Sequence, residues 1–314
     1  MALPNLLTRQ HIQTGLEQAA DRCSHPDAGL FGPGSVIWQL LRENLTALAQ
    51  GRTLLLALAN SRLSQLMPSH HDAVQRIQHT QVFLLKVVFG NLDQALVTLN
   101  SQKARNKTLF DVDDSDTLVY ALSAWVDSCM TVHQSVIEPI NSALQERLFE
   151  EAMLLAQVMG IPQQALPADW HRWRRWWQHR LARPVSLSPR RQQVLDALLR
   201  EQGYPGRTPY GAYYPHAAYQ LPGHWQQACQ LPQRNLDRHR QHQRQLQRLM
   251  DITRNLPERL RYQPAFQEAQ QRLRGRARAD LATRLLTRWW TGESELVSSG
   301  WSIPKVDRLT SASY

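Results

Sequence analysis

Residues 117–136 read TLVYALSAWVDSCMTVHQSV, a stretch that is apolar on nearly every side when it is arranged as a helix. A helix that is hydrophobic all round lies in the middle of a domain, because no face of it gains from contact with water. The acidic run DVDDSD at 111–116 comes just before it, and carboxylates stabilise the positive end of a helix dipole. We therefore predict a central helix over residues 117–136, around which other elements pack.

Helical spacing also dominates the segments on both sides of this stretch. In residues 35–50 the apolar side chains recur at three- and four-residue intervals, and Gly51 follows as a glycine cap that would end the helix. Further helices are predicted over 52–67, 71–103, 169–182, 224–254 and 257–274, with a break at Gly90 in the second of them. Another helix is predicted to begin at a capping box formed by Ser142 and Gln145 and to end at Gly160. No alternating pattern lasts long enough to build a sheet. We predict an all-α fold, a single large multi-helix globular domain with apolar central helices.

The chain is expected to divide into three parts. Residues 1–28 are a helical lead-in and residues 29–275 are the main all-α domain. Residues 276–314 hold an amphipathic helix within DLATRLLTRWW, followed by a polar tail. Inside the main domain, residues 203–223 are rich in Gly, Pro and Tyr, a composition that predicts a long surface loop.

Charge is divided unequally along the chain. Residues 1–160 hold 11 basic and 15 acidic side chains, whereas residues 161–314 hold 25 and 11. A basic half attracts anionic partners, so an anionic membrane surface and an acidic protein are candidate partners, although a solvated arginine-rich surface is the simpler interpretation. Helix-turn-helix and zinc-finger motifs are absent, so a nucleic-acid partner is not expected.

The cysteines and the N-terminal sequence indicate a compartment. Cys23, Cys129 and Cys229 are odd in number and far apart, which is typical of free thiols in a reducing environment. The N-terminal sequence has no basic segment followed by an apolar core, so no secretory signal is expected. We predict a cytoplasmic protein, either free or attached to a membrane surface. P-loop, GxGxxG, GxSxG and HExxH motifs are absent, so nucleotide-dependent and common hydrolase functions have no support.

Four stretches give the chain a resemblance to a known family. They are GLFGPGSVIWQLLREN (29–44); Arg76, His79 and Thr80 followed by VVFG (87–90); WVDS (125–128) followed by ERLFEEAMLLAQVMGIP (146–162); and LPERLRYQPAFQEAQQRLRG (256–275). In this order they resemble the catalytic domain of the rubber oxygenase (latex-clearing protein) family, which includes the MpaB-like oxygenases. The resemblance implies an all-helical oxygenase that carries a b-type haem and acts on a hydrophobic or natural-product-like small molecule.

The resemblance also implies which residues would hold the haem. His79 falls on a position where a family lysine can serve as an axial ligand, and an imidazole is a competent iron ligand. Histidines of the family fall here on Asn60, Asn100 and Leu122, which do not ligate haem iron. His133 is a candidate for a displaced ligand, about 16 Å beyond Leu122 along the same helix. The alternative for His133 is a buried histidine bonded to a backbone carbonyl.

Arg76, Thr80 and Asp127 are the candidate catalytic residues. The resemblance places Arg76 and Thr80 beside the ligand position, where they would shape the oxygen or substrate side of the haem. Asp127 lies inside the apolar helix, and a buried carboxylate needs a partner, for which Arg76 is the candidate. A structural ion pair is the alternative role for Asp127.

Three functions follow from these observations. The first is a haem-dependent oxygenase with altered axial ligation, and the second is a haem-free family member that serves as a binding scaffold or partner protein. The third is peripheral membrane or nucleic-acid binding through the basic half, using the tryptophan-rich helix at 169–182 or the segment 280–290. The spacing of Trp170, Trp173 and Trp177 is that of a stripe that faces a protein core, which argues against a binding role for the helix at 169–182.

Overall fold

The computed structural model describes residues 26–101, 105–200, 214–230, 240, 244, 247, 248, 250–253, 255–276 and 278–297. Regular structure in these residues is helical, and the predicted all-α class is confirmed. The helices are α1 (Val36–Leu41), α2 (Ala47–Ala59), α3 (Ser61–Gln65), α4 (His70–Phe89), α5 (Leu92–Asn100), α6 (Ser115–Val132), α7 (Ser142–Val158), α8 (Trp170–Leu181), α9 (Pro189–Arg200), α10 (Tyr214–Ala218), α11 (Gly223–Ala228), α12 (Glu258–Arg261), α13 (Pro264–Leu273) and α14 (Leu281–Thr291).

The predicted central helix is α6. Its N-cap is Asp114, whose carboxylate accepts a hydrogen bond from the Thr117 amide at 2.8 Å. Nearly every side chain of α6 is buried, and its main neighbour is α2, an almost equally apolar helix. The chain continues from α6 into a single π-helical turn, His133–Ile137, before it leaves the core. The all-round apolar pattern therefore located the middle of the domain.

The predicted end of a helix at Gly51 is wrong. Helix α1 stops at Leu41, and α2 runs through Gly51, which is buried. The break comes earlier because Glu43 is extended and forms an isolated bridge with Tyr262, more than 200 residues away. A long-range pairing thus sets a helix boundary that local periodicity had placed elsewhere.

Two other local predictions are also corrected. The capping residue of α7 is Asn141, which accepts from the Leu144 amide, whereas Ser142 is the first helical residue. In the predicted loop 203–223, residues 214–218 are helical and residues 203–213 lie outside the described part. Ala217 and Ala218 are fully buried, and their small side chains let α10 approach α2 closely.

The prediction at Gly90 is confirmed, since α4 ends immediately before it.

Helix α13 ties distant parts of the chain together. The buried Arg272 guanidinium donates hydrogen bonds to the carbonyl oxygens of Asp27, Phe89 and Val297. One turn earlier, the buried Glu268 carboxylate accepts from the Thr287 hydroxyl on α14 and from the backbone N–H groups of Leu296 and Val297. Burial lowers the pKa of Arg272 to about 10 and raises the pKa of Glu268, even though these hydrogen bonds stabilise its charged form.

Candidate functional site

Arg76 fastens α4 to the segment that leads into α6. Its Nε donates to the carbonyl oxygen of Leu66 at 3.0 Å, and its Nη1 donates to the carbonyl oxygen of Thr108 at 2.7 Å. The same nitrogen lies 3.5 Å from the Asp111 carboxylate. Such contacts satisfy a partly buried guanidinium with backbone acceptors, which is the bonding of a structural arginine.

Thr80 makes a second link between the same two segments. Its hydroxyl donates to the carbonyl oxygen of Arg76 at 2.7 Å and accepts from the Leu109 amide at 2.8 Å. The side chain is buried. A hydroxyl has one proton to donate, so Thr80 has none left for a ligand in this arrangement.

His79 lies between these two residues in sequence but points away from the core. At about 100° per residue it is about 200° around the helix from the buried Ile77, and its side chain is exposed. Partial burial of the ring is the main cause that lowers the pKa of the imidazole, and the positive charges of Lys107 and Arg76 lower it further. The ring is therefore neutral at pH 7, which is the form that binds metals.

We predict that the His79 imidazole titrates below its usual value of 6.5 and that Lys107→Gln raises the midpoint, because the substitution removes a nearby positive charge. The measurement is an NMR titration of labelled histidines. Lys107→Arg keeps both the charge and a side chain at the same left-handed backbone position (φ 63°), so it is the matched control and should leave the midpoint low. A midpoint at or above 6.5 in the unsubstituted protein would contradict this placement of His79.

Asp127 pairs with Arg52, not with Arg76 as the sequence had suggested. The Arg52 Nη1 lies 2.6 Å from the Asp127 carboxylate and 3.1 Å from the Ser128 hydroxyl, while its Nε donates to the carbonyl oxygen of Gln220 at 3.2 Å. Arg52 belongs to α2, the helix that packs on α6, whereas Arg76 is bonded elsewhere. Arg52 lies two residues before the apolar run LLLALA (54–59), and nothing in the sequence marks it as the partner of Asp127.

His133 occupies the start of the π-helical turn. Its ring is buried, and its Nδ1 lies 3.1 Å from the carbonyl oxygen of Glu138. Burial lowers the pKa of His133 more than the neighbouring carbonyl and carboxylate raise it. The imidazole thus stands as a neutral side chain that closes the turn at residues 133–138.

A family profile described as ER-bound oxygenase mpaB/B'/Rubber oxygenase, catalytic domain, matches residues 38–255. The chain belongs to this family. No curated protein and no solved structure matches it. The mpaB/rubber oxygenase match begins inside α1 and ends before α12, so α12, α13 and α14 lie outside it.

The three positions that the resemblance assigns to family histidines are Asn60, Asn100 and Leu122. Asn60 is the N-cap of α3, and its side-chain oxygen accepts from the amides of Arg62 and Leu63 at 3.0 and 3.1 Å. Asn100 is the exposed last residue of α5, and Leu122 is fully packed inside α6.

The cavity beside Thr80 is small. It lies between α2, α4 and α6, with Gln81, Trp125 and Cys129 among its lining residues, and it has a volume of about 20 Å³. That is room for a single water molecule, whereas sites for drug-sized ligands have volumes of roughly 300–1,000 Å³. A larger cleft of about 320 Å³ lies between α1 and α13.

The residues at the family positions do not fit a haem. Thr80 is committed to backbone bonds, His79 points outward, and the space on the inner side of α4 is filled. In the described residues, no three His, Cys, Asp or Glu side chains come together as a metal-binding group. Within the same part of the chain, no helix has the length and apolar character needed to cross a bilayer.

Proposed function

We propose that this protein is a member of the mpaB/rubber oxygenase family that works without the family's haem, as a binding scaffold. The observation that carries the proposal is the occupation of the three family histidine positions by a helix cap, an exposed helix end and a packed leucine. Asn60 and Leu122 stabilise the fold in ways that a haem ligand would not, and Asn100 lies exposed at a helix end.

The bonds of the candidate catalytic residues support the same proposal. Arg76 and Thr80 join α4 to the segment before α6, and Asp127 joins α6 to α2. An active site leaves polar groups aimed at a place where substrate can sit, but here these groups are satisfied by the protein itself. Their role is to hold the family's helices in register.

A scaffold needs a place to bind a ligand, and the cleft between α1 and α13 offers one. Trp38, Phe266 and Leu273 are its apolar lining residues, and Arg42, whose guanidinium also contacts Glu43 and Tyr262, and Arg274 line it as well. Its volume falls within the range of ligand sites, and its lining suits a hydrophobic small molecule that carries a negative charge. The hydrophobic ligand expected for this family would bind there, away from the family's haem position.

The second candidate is a haem-dependent oxygenase with altered ligation at His79. Its supporting observation is the exposed, neutral imidazole of His79 at the family's own ligand position. A haem held there would lie on the outer side of α4, next to the positive charges of Arg76 and Lys107, which complement haem propionates.

The test is an absorption spectrum and iron analysis of protein purified from haem-supplemented cells. We expect no stoichiometric Soret band and no stoichiometric iron in a well-folded helical protein. His79→Ala and His71→Ala form a matched pair, because both histidines are exposed on α4. A Soret band that shifts on reduction, survives His71→Ala and disappears in His79→Ala would overturn the scaffold proposal and establish the second candidate.

A further inference from the structure

Helix α14 carries a line of exposed apolar side chains. Leu281, Leu285 and Trp289 are 69%, 61% and 46% exposed. Their spacing of four residues places them on one face over about 12 Å of helix. Exposed apolar residues are ordinary when they are scattered, but three in register on one helix form a continuous surface.

The opposite face of α14 holds the helix in place. Thr283, Thr287 and Trp290 are buried, and the helix packs on α13. The Thr287 hydroxyl donates to the Glu268 carboxylate at 2.6 Å, and the Thr283 hydroxyl lies 3.1 Å from the Gln271 amide. Rotation of the helix to hide the apolar line would break these buried bonds, so the line stays at the surface.

The acidic side chains near the apolar line all have bonding partners. Asp280 caps the helix, Glu293 pairs with Lys86 at 2.9 Å, and Glu295 pairs with Arg284 at 3.1 Å. Each nearby carboxylate is therefore already engaged.

Two exposed arginines accompany the apolar line, Arg288 on α14 itself and Arg278 in the segment just before it. Arg278 and Arg288 are exposed, and neither has an ion-pair partner among the described residues. Arg288 follows Leu285 by three residues and Leu281 by seven, so it lies on the same face. An apolar line flanked by uncompensated cations matches the boundary of an anionic bilayer, where apolar groups enter the acyl region and guanidinium groups meet phosphates.

We propose that α14 attaches this protein to anionic membrane surfaces, with Leu281, Leu285 and Trp289 inserted at the headgroup boundary and Arg278 and Arg288 bound to lipid phosphates. Tryptophan suits this position because its ring is largely apolar while its N–H can bond at the polar side. The helix lies along the surface and does not span the bilayer. The attachment is independent of whether the protein holds a haem.

The test is co-sedimentation of the full chain with vesicles of phosphatidylcholine alone and with vesicles that also contain phosphatidylglycerol. The unsubstituted protein binds the second kind more tightly, and added salt weakens this binding, because part of the attraction is electrostatic. The double substitution Leu285→Gln/Trp289→Gln lowers the affinity by about tenfold or more, because two apolar anchors are lost. Arg288→Gln weakens binding to the anionic vesicles and leaves binding to phosphatidylcholine unchanged.

Leu260→Gln is the matched control. Leu260 is 49% exposed but lies on α12, off the apolar line, so this variant binds vesicles like the unsubstituted protein. Circular dichroism and thermal unfolding check that all variants remain folded. Absence of vesicle binding, or equal binding by the double variant, would sink the proposal. So would a dimer in light scattering that the double variant dissociates, since the line would then be covered by a second copy.

Discussion

Replacement of Arg52 by alanine lowers the free energy of unfolding by about 3 kcal/mol or more, the range measured when one partner of a buried ion pair is removed. The Arg52 side chain is only 4% exposed, and the Asp127 carboxylate that it would leave behind is 19% exposed. The substitution also takes away the donors to Ser128 and Gln220, so α2 loses bonds to both α6 and the segment after α10. Urea denaturation gives the change.

Arg62→Ala provides the matched comparison. Arg62 pairs with Asp114 at 2.7 Å, nearly the same distance as the buried pair, but its side chain is 60% exposed. Exposed pairs contribute less than about 1 kcal/mol, so the difference between the two arginines measures the buried position of Arg52 together with its bonds to Ser128 and Gln220. A double-mutant cycle with Asp127→Asn then measures the coupling between Arg52 and Asp127. A loss in Arg52→Ala no greater than that in Arg62→Ala would show that the buried pair does not stabilise the fold.

Gly29→Ala lowers the free energy of unfolding by about 2–5 kcal/mol, because two costs add at this position. Gly29 has a φ of +74°, which L side chains rarely adopt. An added Cβ would also lie 2.0 Å from the carbonyl oxygen of Gly90. That oxygen belongs to the residue that caps α4, and its amide is bonded to Lys86, so the backbone does not move away cheaply.

Gly275→Ala separates the two costs. Gly275 has a similar φ of +78°, but nothing lies within 4 Å of its added Cβ. We expect a loss of about 1–2 kcal/mol there, the conformational cost alone. The excess in Gly29→Ala measures the contact between the loop at 29 and the end of α4. Thermal unfolding and urea denaturation of both variants make the comparison, and equal losses would contradict the clash.

Local sequence patterns correctly predicted features that are set within a single helix, such as its position, its end or its buried face. The all-round apolar stretch located α6, Gly90 ended α4, and the tryptophan spacing identified a core stripe, since Trp170, Trp173 and Trp177 are buried. The boundary between α1 and α2 was missed because it is set by the bridge from Glu43 to a segment near the other end of the chain. No window of neighbouring residues contains that information.

In the candidate site, too, features of a single helix could be predicted from the sequence, whereas contacts between helices could not. The outward direction of His79 could have been read from the helix, because Ile77, Thr80 and Leu84 share the opposite face. The partner of Asp127 could not be predicted from the sequence, because the choice between Arg52 and Arg76 depends on how α2 and α6 are aligned in space. Family membership is shown by the match over residues 38–255, yet what the site holds depends on these individual contacts.

The closure of the core by α13 has a consequence for synthesis on the ribosome. Trp38 and Phe89 both make edge contacts with Phe266, and Glu43 pairs with Arg261, 218 residues later. At typical translation rates that interval takes roughly 10–40 s. During this interval Trp38 and Phe89 are already synthesised, but Phe266 of α13, which they contact in the folded protein, is not. A chaperone that recognises exposed apolar segments has that time to bind.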